Sequence, residues 1–287
     1  MKKIVSLVLA ALMLASVLAG CGSSAAATPA STADAVSTES TAAADTDLAY
    51  IQGKGKMTIG YTVYEPMNYT DESGTFTGFD TELATAVCEK LGVEPEFVEI
   101  NWDTKETELA AKSIDCIWNG MSINASRQEQ MNLSDPYMKN EMVFVVPASS
   151  DAASMTDLTG MNIGVQNGSS AQEILEASEL YTNDTPITVT AMATNVEALQ
   201  QMELGLVDAV FLDSVVANYE ISSSGKDYRV LPDGLEEEEY AIGFRKEDQA
   251  LRDEVQKILG EMKADGKLGE ISTKWFGSDI TTVEAAQ

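Results

Sequence analysis

The chain of 287 residues has no histidine, three cysteines, seven prolines, and 18 Lys+Arg against 46 Asp+Glu. Without histidine a Ser-His-Asp triad is excluded, and with no cysteine cluster a zinc or copper site has no ligand set. The shortage of positive charge leaves a net −28, which repels nucleic acid and anionic membrane surfaces and removes both as partners. After the N-terminal segment no run is long and apolar enough to cross a bilayer. What is present, 44% hydrophobic and 22% charged residues, is the composition of a globular protein. The length suffices for one large domain or two ordinary ones.

The first residues form a pattern of their own. A basic start, MKK, precedes the apolar run IVSLVLAALMLASVLA, and LAGC closes it at Leu18 to Cys21. This is the layout of a signal peptide. The LAGC ending resembles a bacterial lipobox, in which the cysteine is lipidated and becomes residue one. The expectation is a lipoprotein signal peptide over 1–20 with Cys21 as the lipidation site; an ordinary secreted protein with a coincidental Cys21 is the alternative. The Ala/Ser/Thr/Asp-rich tract that follows cannot bury enough apolar surface to fold, so 21–50 reads as a lipid-anchored flexible tether. Membrane contact would then be through the N-terminal lipid only. Cys88 falls on a helical apolar face and Cys116 in an apolar strand, where buried free thiols are expected rather than a bridge.

The folded part alternates strand-like and helix-like stretches. MTIGYT (57–62) leads to a helix opened by Asp80, with Leu83, Val87 and Leu91 at four-residue spacing and Gly92 as its stop. PEFVEI (95–100), a helix through ETELAAK (106–112) and IDCIW (114–118) complete a β-α-β-α-β order. That order predicts a parallel sheet flanked by helices. It then begins again: MNIGVQ (161–166) echoes MTIGYT, PITVTAM (186–192) and NVEALQQMEL (195–204) follow, and VDAVFLD (207–213) echoes IDCIWNG. DGLEEEE (233–239) reads as an acidic loop and YAIGFR (240–245) as a strand. A last helix near 248–265 carries Leu251, Val255, Ile258, Leu259 and Met262 on one face. The fold class expected is α/β with two lobes, each a mixed, mainly parallel sheet flanked by helices, and two crossover strands as the hinge. Lobe 1 is discontinuous, 51–141 and 240–280; lobe 2 is 142–239; 281–287 is a C-terminal tail. Such lobes need no partner to bury their cores, so a monomer is expected.

Ligands of open α/β sheets sit beyond the C-terminal ends of the strands. Those ends deliver Thr62, Tyr64 and Glu65, then Trp102 and Asp103, then Asn119, Gly120 and Ser122 with Arg127 behind. The second half delivers Gln166, Asn167, Ser169, Ser170 and Asp213. The chain has four arginines, and Arg127 is the one outside an openly charged stretch. Arginine grips carboxylates with two parallel hydrogen bonds, and a helix opened by Gly168-Ser169-Ser170, with Glu173 completing a capping box, favours an anion. Asp213 can pair with an ammonium, so a small zwitterion between two lobes would satisfy all three. Each feature has a structural alternative: a surface arginine, an aspartate capping the next helix, two core aromatics at Tyr64 and Trp102, and serines that only cap.

Several stretches together resemble the extracytoplasmic solute-binding proteins of polar amino acid ABC transporters. They are PMNYTDESGTFTGFDTELA, IDCIWNGMSINASR with SDPY, IGVQNGSS, VDAVFLD and the C-terminal LRDEVQKILGEMKADGKLGEISTKWFG, spanning about Met57 to Gly277. The resemblance implies a periplasmic-binding-protein-like fold that closes on its ligand, and an ABC permease as partner. It implies that Arg127, helped by Ser122 and by Ser170 at its helix N-terminus, holds the ligand α-carboxylate, with Ser169 beside them among the ligand-binding positions. It also implies that Asp213 and backbone near Gly120 hold the α-ammonium, that Tyr64 stacks on the ligand, and that Trp102 touches its side chain. Asn119 stands where relatives carry a smaller residue, which suggests a part in ligand choice. Thr62 stands where binders of basic amino acids often place an aspartate, with Glu65 or Asp103 as substitutes, and Pro95 stands where some relatives have the cysteine that pairs with the position of Cys88. No cofactor or metal is implied, and no enzymatic activity. The alternatives are a sensor subunit or a dehydratase-like enzyme on the same fold, the latter disfavoured because neither histidine nor lysine is expected near the site.

Overall fold

The computed structural model describes residues 46–223 and 225–286. The signal peptide, Cys21 and most of the expected tether lie outside the described residues. The described chain opens with α1 (Asp47–Lys54), capped by the Thr46 hydroxyl, which accepts from Ala49 N at 3.1 Å, and closed by Gly55 in the left-handed region. The end of the expected tether at residue 50 is therefore helical, because Leu48 and Ile51 have apolar surface to bury against the core.

The first half continues with β1 (Lys56–Tyr61), the small ribbon β2 (Tyr69–Thr70) and β3 (Phe76–Thr77), α2 (Phe79–Leu91) and β4 (Glu94–Glu99). Next come α3 (Lys105–Ala110), β5 (Cys116–Ser122), α4 (Ala125–Gln130), β6 (Asn132–Leu133) and the long β7 (Met138–Pro147). The second half holds β8 (Asn162–Gln166), α5 (Ser170–Ala177), α6 (Glu179–Thr182), β9 (Thr188–Met192), α7 (Asn195–Glu203), β10 (Ala209–Asp213) and α8 (Ser214–Ser223). The chain ends with β11 (Tyr228–Val230), β12 (Glu236–Phe244), α9 (Gln249–Ala264) and α10 (Lys267–Phe276).

The sequence echoes mark equivalent strands. β1 lies between β4 and β5, parallel to both, and β8 lies between β9 and β10, again parallel to both. Two antiparallel strands join these trios. β7 pairs with β10, β12 pairs with β5, and β7 and β12 pair with each other over Met138–Met142 and Glu236–Tyr240. The fold is thus a two-lobed α/β protein with mixed, mainly parallel sheets, and both crossings between lobes are strands.

Two local expectations need correction. The acidic stretch read as a loop is strand from Glu236 onward, since its backbone pairs with β7; Glu236, Glu237 and Glu239 face solvent and Glu238 faces inward. Asp80 does not cap α2. Gly78 occupies the cap with φ 134°, where a Cβ would lie 2.1 Å from Met67 O, and the Asp80 side chain is fully buried.

Burial follows from position. β5 is buried along its whole length, as a central strand covered on both faces should be. The predicted face of α9 is buried at Leu251, Val255, Ile258, Leu259 and Met262. The expected C-terminal tail is partly tied down: Thr281 bridges to Met138, Val283 is buried, and Ala286 N donates to Gly260 O at 2.9 Å. Cys88 and Cys116 are buried and unbridged.

Beneath the first lobe lies a buried charge cluster. Asp115 accepts from Thr58 N at 2.8 Å and from Lys54 Nζ at 2.7 Å, with Arg245 Nη2 at 3.5 Å. Arg245 also pairs with Asp248 at 2.6 Å. Removing one member of a buried ionic cluster leaves the others uncompensated. Asp115→Ala is therefore expected to cost about 3–5 kcal/mol in urea unfolding, whereas a loss near that of a surface substitution would contradict this account.

Candidate functional site: a polar cavity where the lobes meet

β5 rises from the core and ends at Gly120 to Ser122, where α4 turns the chain back. Asn124 caps α4 by accepting from Arg127 N at 2.8 Å, which fixes Arg127 in the first turn and aims its side chain toward the cleft. The guanidinium is buried, with 2% exposure, and Nη1 donates to Ser122 O at 2.6 Å. It lies 5.9 Å from the centre of the Trp102 ring, within reach of a cation–π interaction. Among the described residues no carboxylate comes within ion-pair distance of it. Burial pulls its pKa down, opposed by the negative charges of Glu173, Glu106, Glu238 and Asp213.

The second lobe supplies the facing wall. β8 ends at Gln166, and Gly168, at φ 67°, turns the chain into α5. A Cβ on Gly168 would lie 2.9 Å from the Asp103 Cα, so the two lobes touch here backbone to backbone. Ser169, not Ser170, is the cap. Its hydroxyl accepts from Gln172 N at 3.2 Å and donates to Gln166 O at 2.7 Å. Glu173 takes no part in a capping box; it accepts instead from Asn124 Nδ2, at 2.9 Å, across the cleft. The Ser170 hydroxyl is thereby released from capping and donates to Ser122 Oγ at 3.2 Å. The first N–H groups of α5 have no partner within the helix and give this wall a positive end.

Asp213 closes the far end. It is buried and accepts from Asn140 Nδ2 at 2.7 Å and Tyr240 OH at 2.6 Å. The single Tyr240 proton goes to Asp213, so Tyr64 OH, 3.1 Å away, donates to Tyr240. Burial raises the Asp213 pKa, and the hydrogen bond from the Tyr240 hydroxyl opposes that shift. Gly120, at φ 54°, brings its backbone against the Tyr64 ring, where a Cβ would meet Cε1 at 2.7 Å. The Asp80 carboxylate fixes that turn from below, accepting from Gly120 N at 2.7 Å and Tyr137 OH at 2.9 Å. Burial pushes Asp80 up to about 7.

The nine positions to which the family resemblance pointed line one cavity: Tyr64, Trp102, Asn119, Gly120, Ser122, Arg127, Ser169, Ser170 and Asp213; Thr62, Glu65, Asp103 and Asn167, also named from the strand ends, do not. Gln166 joins them; it lay at a strand end in the sequence. The cavity is about 20 Å³, room for little more than a water molecule, so a larger ligand enters only when the lobes part. Tyr64 and Trp102 are core aromatics and cavity walls at once, 4% and 5% exposed. Asn119 lines the cavity with its carboxamide already engaged. Its oxygen accepts from Thr62 N and Oγ1, and its nitrogen donates to Thr62 O and Asn68 Oδ1, all within 2.8–3.0 Å. Asn119 thereby ties Thr62, which is not on the cavity lining, and Thr62 Oγ1 in turn accepts from the lining residue Gln166 at 3.4 Å.

Sequence reasoning missed Asn140, Tyr240 and Glu238, which lie on the crossing strands. It also missed a lysine near the site: Lys105 is buried, 5.0 Å from the Trp102 ring centre. Its ammonium donates to Trp102 O at 3.1 Å and Gly168 O at 3.0 Å and pairs with Glu106 at 3.1 Å. Burial, then the Arg127 charge, lower its pKa.

These features define a class: a two-lobed α/β protein whose halves share two crossing strands and meet at a polar cavity with a cation at one end and an anion at the other. The chain belongs to the bacterial extracellular solute-binding proteins, family 3, whose profile matches residues 57–278. It is 32% identical over 244 residues to the L-cystine-binding protein TcyA of Bacillus subtilis, covering 83% of this chain and 88% of that one. It is 33% identical over 227 residues to the arginine-binding extracellular protein ArtP of the same organism, covering 78% and 87%. Among solved structures, an ABC uptake transporter substrate binding protein from Streptococcus pneumoniae with bound histidine superposes with TM-score 0.78 at 37% identity, covering 83% and 99%. An ancestral amino acid-binding protein described as a precursor of cyclohexadienyl dehydratase matches at 29% identity and TM-score 0.73, covering 80% and 99%.

Gly120→Ala tests the geometry directly. A residue with a Cβ is strained at this φ and collides with Tyr64, so the variant should lose about 1–2 kcal/mol or more in denaturant unfolding. Wild-type stability would show that the turn is not held as described.

Proposed function

We propose that the chain is the substrate-binding lipoprotein of an amino acid ABC importer. It captures a polar amino acid between its lobes and delivers it to a membrane permease from the outer side of the membrane, anchored by lipid on Cys21. The observation that carries this reading is Arg127: a buried fixed cation, facing a closed cavity, with no carboxylate partner among the described residues. A ligand carboxylate supplies that partner, assisted by the N-terminal end of α5, while Asp213 takes the α-ammonium and Tyr64 and Trp102 pack the rest. The relatives that bind cystine, arginine and histidine support an α-amino acid as the ligand class.

The proposed hinge is the β7–β12 pair, with lobe 1 as 51–141 and 240–280 and lobe 2 as 142–239. Contacts that span the two proposed lobes, and would break as they part, include Lys105 to Gly168, Asn124 to Glu173 and Ser170 to Ser122. A ligand that binds both walls shifts the equilibrium toward closure by its differential affinity for that state. Asp213 is the one carboxylate on the cavity lining among the described residues, and neither Glu65 nor Asp103 reaches it. That favours a ligand whose side chain is neutral over lysine or arginine. Binding rather than catalysis is favoured by Lys105, whose three protons are all engaged.

A thermal-shift screen of the common L-amino acids and L-cystine should yield stabilising ligands. Arg127→Ala should weaken the best of them by roughly hundredfold or more, the value of charge-assisted hydrogen bonds made in a closed site; unchanged affinity by calorimetry would refute the assignment. Asp213→Asn should weaken an amino acid far more than its α-hydroxy acid analogue, and equal losses would exclude an ammonium contact.

A further inference from the structure

Glu238 belongs to none of the groups assigned above, yet it backs the carboxylate end of the cavity. It is 9% exposed, on crossing strand β12, and accepts from Ser122 Oγ at 2.7 Å. Ser122 Oγ in turn accepts from Ser170 at 3.2 Å. An ionised carboxylate only accepts, so it fixes the direction of the whole chain: Ser170 donates to Ser122 and Ser122 donates to Glu238. Both hydroxyl protons then point away from the ligand, and the two serines offer lone pairs where a carboxylate is to be held.

We propose that Glu238 is a positioning residue that takes up one proton when the ligand carboxylate binds. With a proton on Oε2, Glu238 becomes the donor to Ser122 Oγ. The chain reverses: Ser122 then donates to Ser170 Oγ, and the freed hydroxyl proton of Ser170 turns to the ligand carboxylate beside Arg127. The proton comes from solvent, through an open depression of about 600 Å³ that Glu238 also lines with Lys139, Asn140, Glu141 and Ser214. Protein, ligand and one proton give the closed complex, with no covalent bond made or broken. This inference rests on the amino-acid reading of the site.

The charges around Glu238 leave its proton poised. Asp213 on β10 shares Asn140 Nδ2 with it, at 2.7 Å and 3.4 Å respectively, and its negative charge favours protonation. Arg127 on α4 and the hydroxyls of Ser122 and Ser170 favour the ionised form. Glu237 and Glu239, its strand neighbours, and Lys139 and Glu141 on β7 line the same depression. Burial is the largest influence, and the balance holds Glu238 up at about 6. A ligand ammonium at Asp213 would pull the proton off through the shared Asn140, whereas reversal of the serine chain puts one on. The sign of the exchange is therefore the test.

The probe is L-cystine or, if it gives no heat, the strongest binder of the amino-acid screen, titrated calorimetrically in buffers of different ionisation enthalpy. The wild-type protein should take up a proton between about pH 6 and 8, with affinity weakening up to about tenfold per pH unit as pH rises. Glu238→Gln can donate or accept without a proton, so it should bind with no buffer dependence and a flat pH profile. Proton release, no exchange, or the same uptake in Glu238→Gln would overturn the proposal while leaving amino acid binding intact. If no amino acid binds at any pH, the reading of the site fails and this inference falls with it.

Discussion

The site is organised around a positive charge that is buried without a counter-ion among the described residues. Taking a guanidinium out of water costs several kcal/mol even after relaxation, and a full carboxylate partner would be the usual compensation. Arg127 has instead one backbone carbonyl, an aromatic face and a surrounding field of more distant carboxylates. That is enough to keep the charge in place and too little to satisfy it. Much else serves this arrangement: Asn124 fixes the first turn of α4, Trp102 is held by the core of the first lobe, and α5 points its positive end into the same space.

The strands that connect the lobes also reach the site. Asn140 lies on β7, and Glu238 and Tyr240 on β12; the three bond to Asp213 or to Ser122. If the proposed hinge moves, it moves groups that line or back the cavity, and the state of those groups would bear on closure. Coupling of this kind needs no pathway beyond a few hydrogen bonds, because the hinge and the ligand cavity share side chains. The proposed capture of an amino acid requires the lobes to part, since the cavity has so little volume.

The repeating βα pattern was readable because the buried strands are apolar and the helices carry clean four-residue spacing. The candidate site was readable for a simpler reason: side chains just past the ends of parallel strands converge, and those positions hold the arginine, the serines and Asp213. Glu238 was hidden in a run of four glutamates, where charge suggested a solvated loop. A signal was present all the same, for the strand period of Tyr240, Ile242 and Phe244, extended backward, falls on Glu238. The capping role of Ser169 rather than Ser170 differs by one residue, and no composition rule separates them; the turn at Gly168 decides it. Asp80 and Lys105 look like surface charges in sequence, and only the packing around them turns them into buried supports. Asn119 stands out in the sequence, and its four internal hydrogen bonds to Thr62 and Asn68 are visible only in the packing.

The central claim is that Arg127 is held unpaired for a ligand carboxylate. The most direct measurement compares, on the wild-type protein, calorimetric affinities for the best-binding amino acid and for its α-carboxamide, which keeps the ammonium and the side chain. The account predicts that the carboxamide binds roughly hundredfold more weakly or worse, since it cannot neutralise the guanidinium. Equal affinity for the two would contradict it.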